Sequence, residues 1–537
     1  MPVVSRDALV RAVQNVSSWG DTDVFPFPIE NHVLHDKVDD VVALLEGVSN
    51  NFVADLARTG VSNYSTLAPV GYFGFRWATQ IDPIWNVYLL ALVLELAPDL
   101  EATRIPESEK KVFSYRFRPN TDDGSLFAAG AWRDFQTTTR ELASASEFVV
   151  SLDIADFYAR IYHHPLENAL KRADRGGNVA FQIVRLLSTF SNNTSYGIPV
   201  GGPAARLLAE VVLNKVDHLL LVDEHLSTFC RYADDYRFFV PDMAEAHRVI
   251  AVLSEKLLRN EGLTIQKAKT RIMSSREYLA VLDPPNPEPG SAAAFLGLHI
   301  HYDPYSATAA DDYERLKSQL GEFDVVGLLR TELNKGRVHA ALVRRLVAAI
   351  QYMDETVQQQ AILSLLENLE TLAPVIPQVM LAVRACLEQL PSTFVAVVHA
   401  QLREIIRSGH YLAQIDLNLA YIVRALAVQH STENEQLLIQ LFEGPHGFGA
   451  GTAPNIQRDI MLILSRWGVT YWLSDQKNYI ASAHPWVRRA FLIGSYTLRD
   501  EGEHWRNSAK AGFSDFDKIV HTWAADKRAL PGWEVPV

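Results

Sequence analysis

The residues best suited to chemistry lie in two stretches, EFVVSLDIADFYARIYHHPL (147–166) and FCRYADDYRFFV (229–240). The chain has four adjacent aspartate pairs: Asp39-Asp40, Asp122-Asp123, Asp234-Asp235 and Asp311-Asp312. Three sit in polar surroundings and read as solvated turns or helix starts. Only Asp234-Asp235 is flanked on both sides by aromatic and aliphatic residues, with Phe229 and Tyr232 before it and Tyr236, Phe238, Phe239 and Val240 after. That pattern predicts strand, tight turn, strand, with the acids at the bend. Paired carboxylates there can hold a hard divalent cation; a plain acidic turn is the other reading of the same stretch. Upstream, an apolar run delivers Asp153 to a strand end, where a buried charge without a partner is costly. Alternatively, Asp153 or Asp156 caps the helix that follows. Asp153 is distant from Asp234 in sequence, so only a folded sheet can join them. Together Asp153, Asp234 and Asp235 are the set that two-metal phosphoryl transfer requires, with ions roughly 4 Å apart that activate the attacking oxygen and stabilise the leaving pyrophosphate.

These acids need a scaffold, and the chain organises into three parts. Residues 1–75 read as amphipathic helices followed by a Gly- and aromatic-rich break, VSNYSTLAPVGYFGF (61–75), that opens the next part. Residues 76–310 begin with a helix over 81–97 and then alternate short β-prone runs with helices: KVFSYRF, FVVSLDI, GPAARLLAEVVLNKVDHLLL, the acidic hairpin, EAHRVIAVLSEKLLRNEG and FLGLHIHY. This is an α+β pattern. The Pro-rich loop DPPNPEPG (283–290) interrupts it. Residues 311–537 have apolar residues at helical spacing and almost no strand signal, which predicts an all-α stack of antiparallel helices without a clean period.

The 537 residues and 48% hydrophobic content allow more than one buried core. Mean hydropathy is -0.01. The N-terminus has no basic region followed by an apolar core, so no signal peptide is read. The apolar stretch at Tyr88–Ala97 is interrupted by Glu95 and is short for a bilayer span, so no membrane partner is expected. Cys230 and Cys386 are too few for a zinc cluster or a disulfide framework, and two free thiols fit a reducing cytoplasm. A net charge of -13 argues against an extensive grip on duplex backbone.

The order of the pieces resembles the palm of a reverse transcriptase. DIADFY matches the first catalytic-aspartate motif and GIPVGGPAARLLAE (197–210) the glycine turn and helix. YADD (232–235) matches the YxDD signature, LTIQKAKT (263–270) the lysine motif and FLGL (295–298) the primer-grip hairpin. More narrowly, VFSYRF (112–117), DIADFYARIYHHPL, the G-x-x-x-R-x-x-A-E form of 202–210 and HPWVRRAFLIGSYTL (484–498) are similar to the abortive-infection (Abi) and defence-associated reverse transcriptases of bacteria and prophages. That resemblance implies palm and fingers followed by an all-helical, HEAT-like repeat domain. It also implies a bacterial cytoplasmic location, homo-oligomers and a role in phage defence. Its expected chemistry is Mg2+- or Mn2+-dependent DNA synthesis from dNTPs, protein-primed and template-independent in some members. The product is then single-stranded DNA attached to the protein. Alternatives are copying of a partner noncoding RNA and a non-catalytic, polymerase-like binding module.

The resemblance assigns roles by position. Asp153 and Asp234, with the Ile154 carbonyl, would ligate metal, and Asp235 would be a secondary ligand. Tyr158 would lie against the sugar and exclude a 2′-hydroxyl, or else be a core aromatic. Lys269 would protonate or neutralise pyrophosphate, or be a solvated helix-end lysine. Arg116 and Arg118, on one face by strand alternation, would clamp the triphosphate. Gly201 and Gly202 would allow close approach of backbone to nucleotide, and Arg206 would hold an acid or a phosphate. Val200 stands where enzymes that copy long templates commonly have glutamine. A valine cannot hydrogen-bond near the template, which fits the Abi-like subset. Tyr64 and Tyr72 are the candidate primer hydroxyls, with loop packing as their alternative role; Ser17, Ser18 and C-terminal tyrosines stay open. His163-His164 would point apart on a helix and so make no zinc pair. WGVTYWLSDQKNYI (467–480) would stack bases or pack helices, and Arg488-Arg489 would face a nucleic acid or an acidic neighbour.

Overall fold

The computed structural model describes residues 3–20, 22, 24–120, 124–222, 226, 228–282, 288, 290–298, 316–448 and 451–537. Its contacts divide the chain into two units. The first comprises Met1–Ser65, Trp77–Asp283 and Lys510–Lys527; the second comprises Thr66–Arg76, Pro284–Ala509 and Arg528–Val537.

At the centre of the first unit is a four-stranded antiparallel sheet. Its strands are β3 (Phe148–Asp153), β4 (Phe229–Tyr232), β5 (Asp235–Val240) and β6 (Arg271–Ser274), in the order β4-β5-β3-β6. The labels β1 and β2 belong to an earlier hairpin, Asn63–Val70 and Gly74–Ile81. β3 is apolar and buried along most of its length because both of its faces are covered. Val149, Phe239 and Cys230 share one face and pack with Phe135, Ala143 and Tyr278. These last three come from the helices Ala131–Ser144 and Ser275–Leu282. Successive strand residues point to opposite faces. Arg231 and Tyr236 therefore face the other way, where both bond Asp217 of the helix Pro203–Val222.

Helices Arg6–Trp19, Glu30–Asp36 and Val38–Thr59 form as the N-terminal periodicity predicts. The helix Pro83–Ala102 is long and apolar enough to cross a membrane by length and composition. However, 83% of its apolar window is buried inside the protein, as in a core helix. The C-terminal helix Asp515–Arg528 also belongs to this unit. Asp36 accepts from Trp523 Nε1 at 2.7 Å, and Lys37 pairs with Asp526 at 2.7 Å.

Among its described residues outside the β1–β2 hairpin, the second unit is helical. The helices Ala340–Ile350, Ile376–Leu387, Asp416–Leu426, Pro454–Arg466 and Pro485–Gly494 each pack on the next in that order. Leu419, Val423, Ile460, Ile463 and Phe491 are fully buried in this row.

Three local expectations are corrected. Residues 61–75 form most of the β1–β2 hairpin rather than a loose break, because alternating residues there pair across a Gly71 turn at φ 64°. FLGL does not open a hairpin: Ala292–Gly297 is helical, N-capped by Ser291, and lies in the second unit. The HIHY that follows (299–302) falls outside the described residues. KVFSYRF is not a strand, since Tyr115 at φ 48° breaks the alternation.

Candidate active site

Two residues, Ala233 and Asp234, connect β4 to β5, with Tyr232 paired to Asp235. Such tight hairpins need a positive φ, usually supplied by glycine. Here Ala233 takes φ 52°, at a cost of about 1–2 kcal/mol. Two bonds hold it there. The Ala233 N–H donates to Ser114 Oγ at 2.8 Å, and its carbonyl accepts from Arg231 Nη1 at 2.9 Å.

The acids converge through the sheet. Asp153, the last residue of β3, is the direct cross-strand partner of Asp235. The Ile154 N–H donates to the Asp234 carbonyl at 3.3 Å. The lysine segment runs alongside, with Ala155 N–H donating to Thr264 O at 2.8 Å and Gln266 N–H to Asp153 O at 2.7 Å. This brings Lys269 Nζ to 2.7 Å from Asp153 Oδ2. Arg237 Nη1 lies 3.3 Å from Asp235 Oδ1. Burial, and then the charge of Asp153, push the Asp234 carboxyl up to about 6. The hydrogen bond to Asp153 raises Lys269 and keeps it protonated.

Asp153, Asp234 and Asp235 bring hard carboxylate oxygens, the donor type a divalent cation prefers, to the ends of β3 and β5, where Lys269 and Arg237 pair with Asp153 and Asp235. Among the described residues no group of three or more acidic, histidine or cysteine side chains is placed to hold a metal ion. The Lys269 ammonium supplies the cationic partner of Asp153 in this arrangement.

The remaining predicted residues divide by placement. The Tyr158 carbonyl accepts from Ile198 N–H at 3.0 Å, which ties it to the glycine loop. Its ring is largely buried, and burial, followed by the charges of Tyr115 and Asp234, drives its hydroxyl well above the ordinary tyrosine range. The Tyr158 hydroxyl is bonded to Tyr115, whose ring lies 5.4 Å beneath the Arg206 guanidinium. Gly201 has φ 107°, a backbone open to glycine; Gly202 does not need it, and its carbonyl caps the Arg206 N–H at 3.2 Å.

Arg116 and Arg118 do not share a face. Arg116 is buried, bonding Glu101, Val112 O and Ile105 O, so its guanidinium is committed to the core and not to a triphosphate. Arg118 is exposed and paired with Glu107 at 2.6 Å. Tyr64 lies in β1. Within the second unit, the Tyr72 hydroxyl donates to Thr371 O at 2.7 Å and accepts from Val338 N–H at 2.8 Å. His163 is buried and donates to Gly197 O at 2.8 Å, while His164 bonds Asn168. In 467–480, Trp472 is buried with Nε1 on Glu443, and Tyr471 bonds Glu435. Arg489 is buried and Arg488 is exposed.

Behind the turn lies a charge network whose members the motif reading gave no role. Arg231, fully buried, bonds Asp217 and Glu210, and Arg104 bonds Glu210 at 2.7 Å and the Ser114 carbonyl at 2.8 Å. Burial pushes Glu210 up, but the Arg231 and Arg104 charges outweigh it and hold the carboxyl below its usual range. The available signal was an arginine inside an apolar strand run, which has to find an acid when buried.

Residues 97–300 match the family model described as reverse transcriptase (RNA-dependent DNA polymerase). They include DIADFY, the glycine turn, YADD and the lysine segment. The chain therefore carries a reverse transcriptase domain, which indicates a nucleotidyltransferase of the RNA-directed DNA polymerase-like kind. The match is to reverse transcriptases at large and not to the abortive-infection enzymes in particular. No curated protein sequence matches the chain. Among solved structures it is similar to telomerase from Candida albicans in complex with a TWJ fragment of telomeric RNA. That likeness has 11% identity and a TM-score of 0.33, covering 67% of this chain and 66% of that one, just under two thirds of its length. It is also similar to apo telomerase from Candida tropicalis, at 9% identity and a TM-score of 0.33, covering 74% and 70%.

Proposed function

We propose that this chain is a divalent-cation-dependent DNA polymerase of an anti-phage abortive-infection system, making single-stranded DNA by protein-primed, template-independent synthesis. The observation that carries the polymerase reading is the meeting of Asp153 and Asp235 across β3 and β5, with Asp234 at the adjoining turn, inside the reverse transcriptase match. The narrower reading is supported by the likeness of VFSYRF, DIADFYARIYHHPL and 202–210 to the defence enzymes, and by Val200 in place of a template-contacting glutamine. The helical second unit, read as a HEAT-like repeat domain, would carry subunit contacts of a homo-oligomer in a bacterial cytoplasm.

In this reading Asp153 and Asp234, with the Ile154 carbonyl, hold Mg2+ or Mn2+, and Asp235 tunes the charge. The cation, when bound, lowers the barrier to attack on the α-phosphate of a dNTP and to departure of pyrophosphate. Lys269 leaves Asp153 and hands its proton to the departing pyrophosphate. Tyr158, braced by Tyr115, presses on the sugar and rejects a 2′-hydroxyl. Arg118, Gly201 and Gly202 position the triphosphate. Tyr64 and Tyr72 are the primer candidates, and the Tyr72 hydroxyl would first have to leave Thr371 and Val338.

A second reading, copying of a bound noncoding RNA, is favoured by the description of the matched family as RNA-dependent. One experiment separates them. The purified protein, half of it treated with ribonuclease, receives labelled dNTPs and Mg2+ without primer or template and is run on a denaturing gel with and without protease. Label that stays with the protein, survives ribonuclease and is freed by protease is the expected result. Label lost to ribonuclease would select the RNA-copying reading. No label even with added primer-template, or unchanged label in Asp234→Asn, would overturn the polymerase proposal.

A further inference from the structure

A cavity of about 490 Å3 in the first unit has none of Asp153, Asp234 and Asp235 in its lining. It is walled by Leu100, Ala169, Leu207 and Val211 and rimmed by Arg172 and Lys215. Both cations are exposed. Both act by charge on Glu261, whose carboxyl burial pushes up to about 7. The cavity thus has apolar walls, a rim carrying Arg172 and Lys215, and a polar end where Glu101 and Glu210 pair with Arg104. Its volume is in the range of sites for small organic ligands.

Arg104 also lines this cavity. It is 7% exposed, and its Nε has no hydrogen-bond partner although the group is buried. A buried donor without a partner is costly and donates readily to a ligand oxygen. Arg104 Nη2 bonds Glu210 and the Ser114 carbonyl, and its Nη1 bonds Glu101 and the Tyr115 carbonyl. Glu210 bonds Arg231, and the Ser114 and Arg231 side chains hold the N–H and the carbonyl of Ala233. A chain of hydrogen bonds therefore runs from the cavity to the turn that bears Asp234.

We propose that this cavity binds an amphipathic monophosphate, with an alkyl or aryl body against the apolar walls and the phosphate at Arg172, Lys215 and Arg104, and that occupancy steadies the Ala233-Asp234 turn. The charge fits a phosphate, and the walls require an apolar body, so inorganic phosphate alone should bind poorly. A lipid-derived alkyl phosphate and a nucleoside monophosphate are two sources of the same chemistry.

The test uses the full chain, with octyl phosphate, dAMP and inorganic phosphate as probes in calorimetry, together with amide hydrogen exchange at Ala233. One-to-one binding of octyl phosphate or dAMP is expected, with inorganic phosphate at least tenfold weaker. Whichever of the two binds more tightly identifies the source. R172E/K215E should weaken binding at least tenfold, and Ala169→Trp, which fills the cavity, should abolish it. Exchange at Ala233 should slow at least twofold on saturation. No saturable binding, or binding unchanged in R172E/K215E, would overturn the site, and that variant keeps the test decisive if Ala169→Trp fails to fold. Binding without a change in exchange would overturn the coupling.

Discussion

Arg231 Nη1 donates a 2.9 Å hydrogen bond to the carbonyl of Ala233, only two residues along the chain. The guanidinium that neutralises Asp217 and Glu210 inside the sheet therefore also holds the turn bearing Asp234. Core electrostatics and the geometry of the acids depend on one side chain.

Replacing Arg231 by methionine should be costly on both counts. It leaves Asp217 and Glu210 buried, with Arg104 as the remaining arginine on Glu210. Breaking a buried ion pair from one side costs about 3–5 kcal/mol. Urea unfolding should show a loss of that size. A loss under about 1 kcal/mol would mean that the network does not hold the turn.

Ala233→Gly should be nearly neutral for stability. It removes a Cβ held at φ 52°, a gain of about 1–2 kcal/mol, and adds the unfolded-state freedom of glycine, a loss of about 0.5–1 kcal/mol. Ala233→Val should be clearly destabilising at this φ. Equal unfolding midpoints for the glycine and valine variants would contradict the turn geometry.

Glu261→Gln should remove a pH dependence. Burial raises the folded Glu261 carboxyl to about 7, against about 4.3 in an unfolded chain. With the folded value raised, the favourable contribution is complete below about pH 4, is lost as pH climbs towards 7, and changes little above that. The glutamine variant should match the parent near pH 4 and exceed it at pH 8 by on the order of 2 kcal/mol. Thermal midpoints at several pH values read this directly, and parallel curves would refute it.

Tyr158→Ala should relax sugar selection. Its ring is held by Tyr115 and by the Ile198 N–H bond to its carbonyl. Removing it should raise rNTP incorporation relative to dNTP about 10- to 200-fold, the scale of a steric pocket contact. An unchanged ratio would place the ring outside the sugar site.

The sequence by itself determined the local features. The apolar run before Asp153 and the aromatic and aliphatic residues on both sides of Asp234-Asp235 specify strand ends and a tight turn, because strand patterning and hairpin chemistry are short-range. The N-terminal helices and the helical C-terminal half were legible for the same reason. Other placements were decided only by the tertiary structure. Tyr115 at φ 48° turns Arg116 into the core and leaves Arg118 outside, against the alternation of a strand. The segment 61–75 became a hairpin and FLGL ended in a helix, where pairing and packing partners outweigh weak local preference. Arg231 found Asp217 and Glu210, and the helix Asp515–Arg528 joined the first unit through Asp36 and Lys37. A buried charge must be paired, but nothing local says with which residue; that choice is made when the chain folds and distant side chains meet.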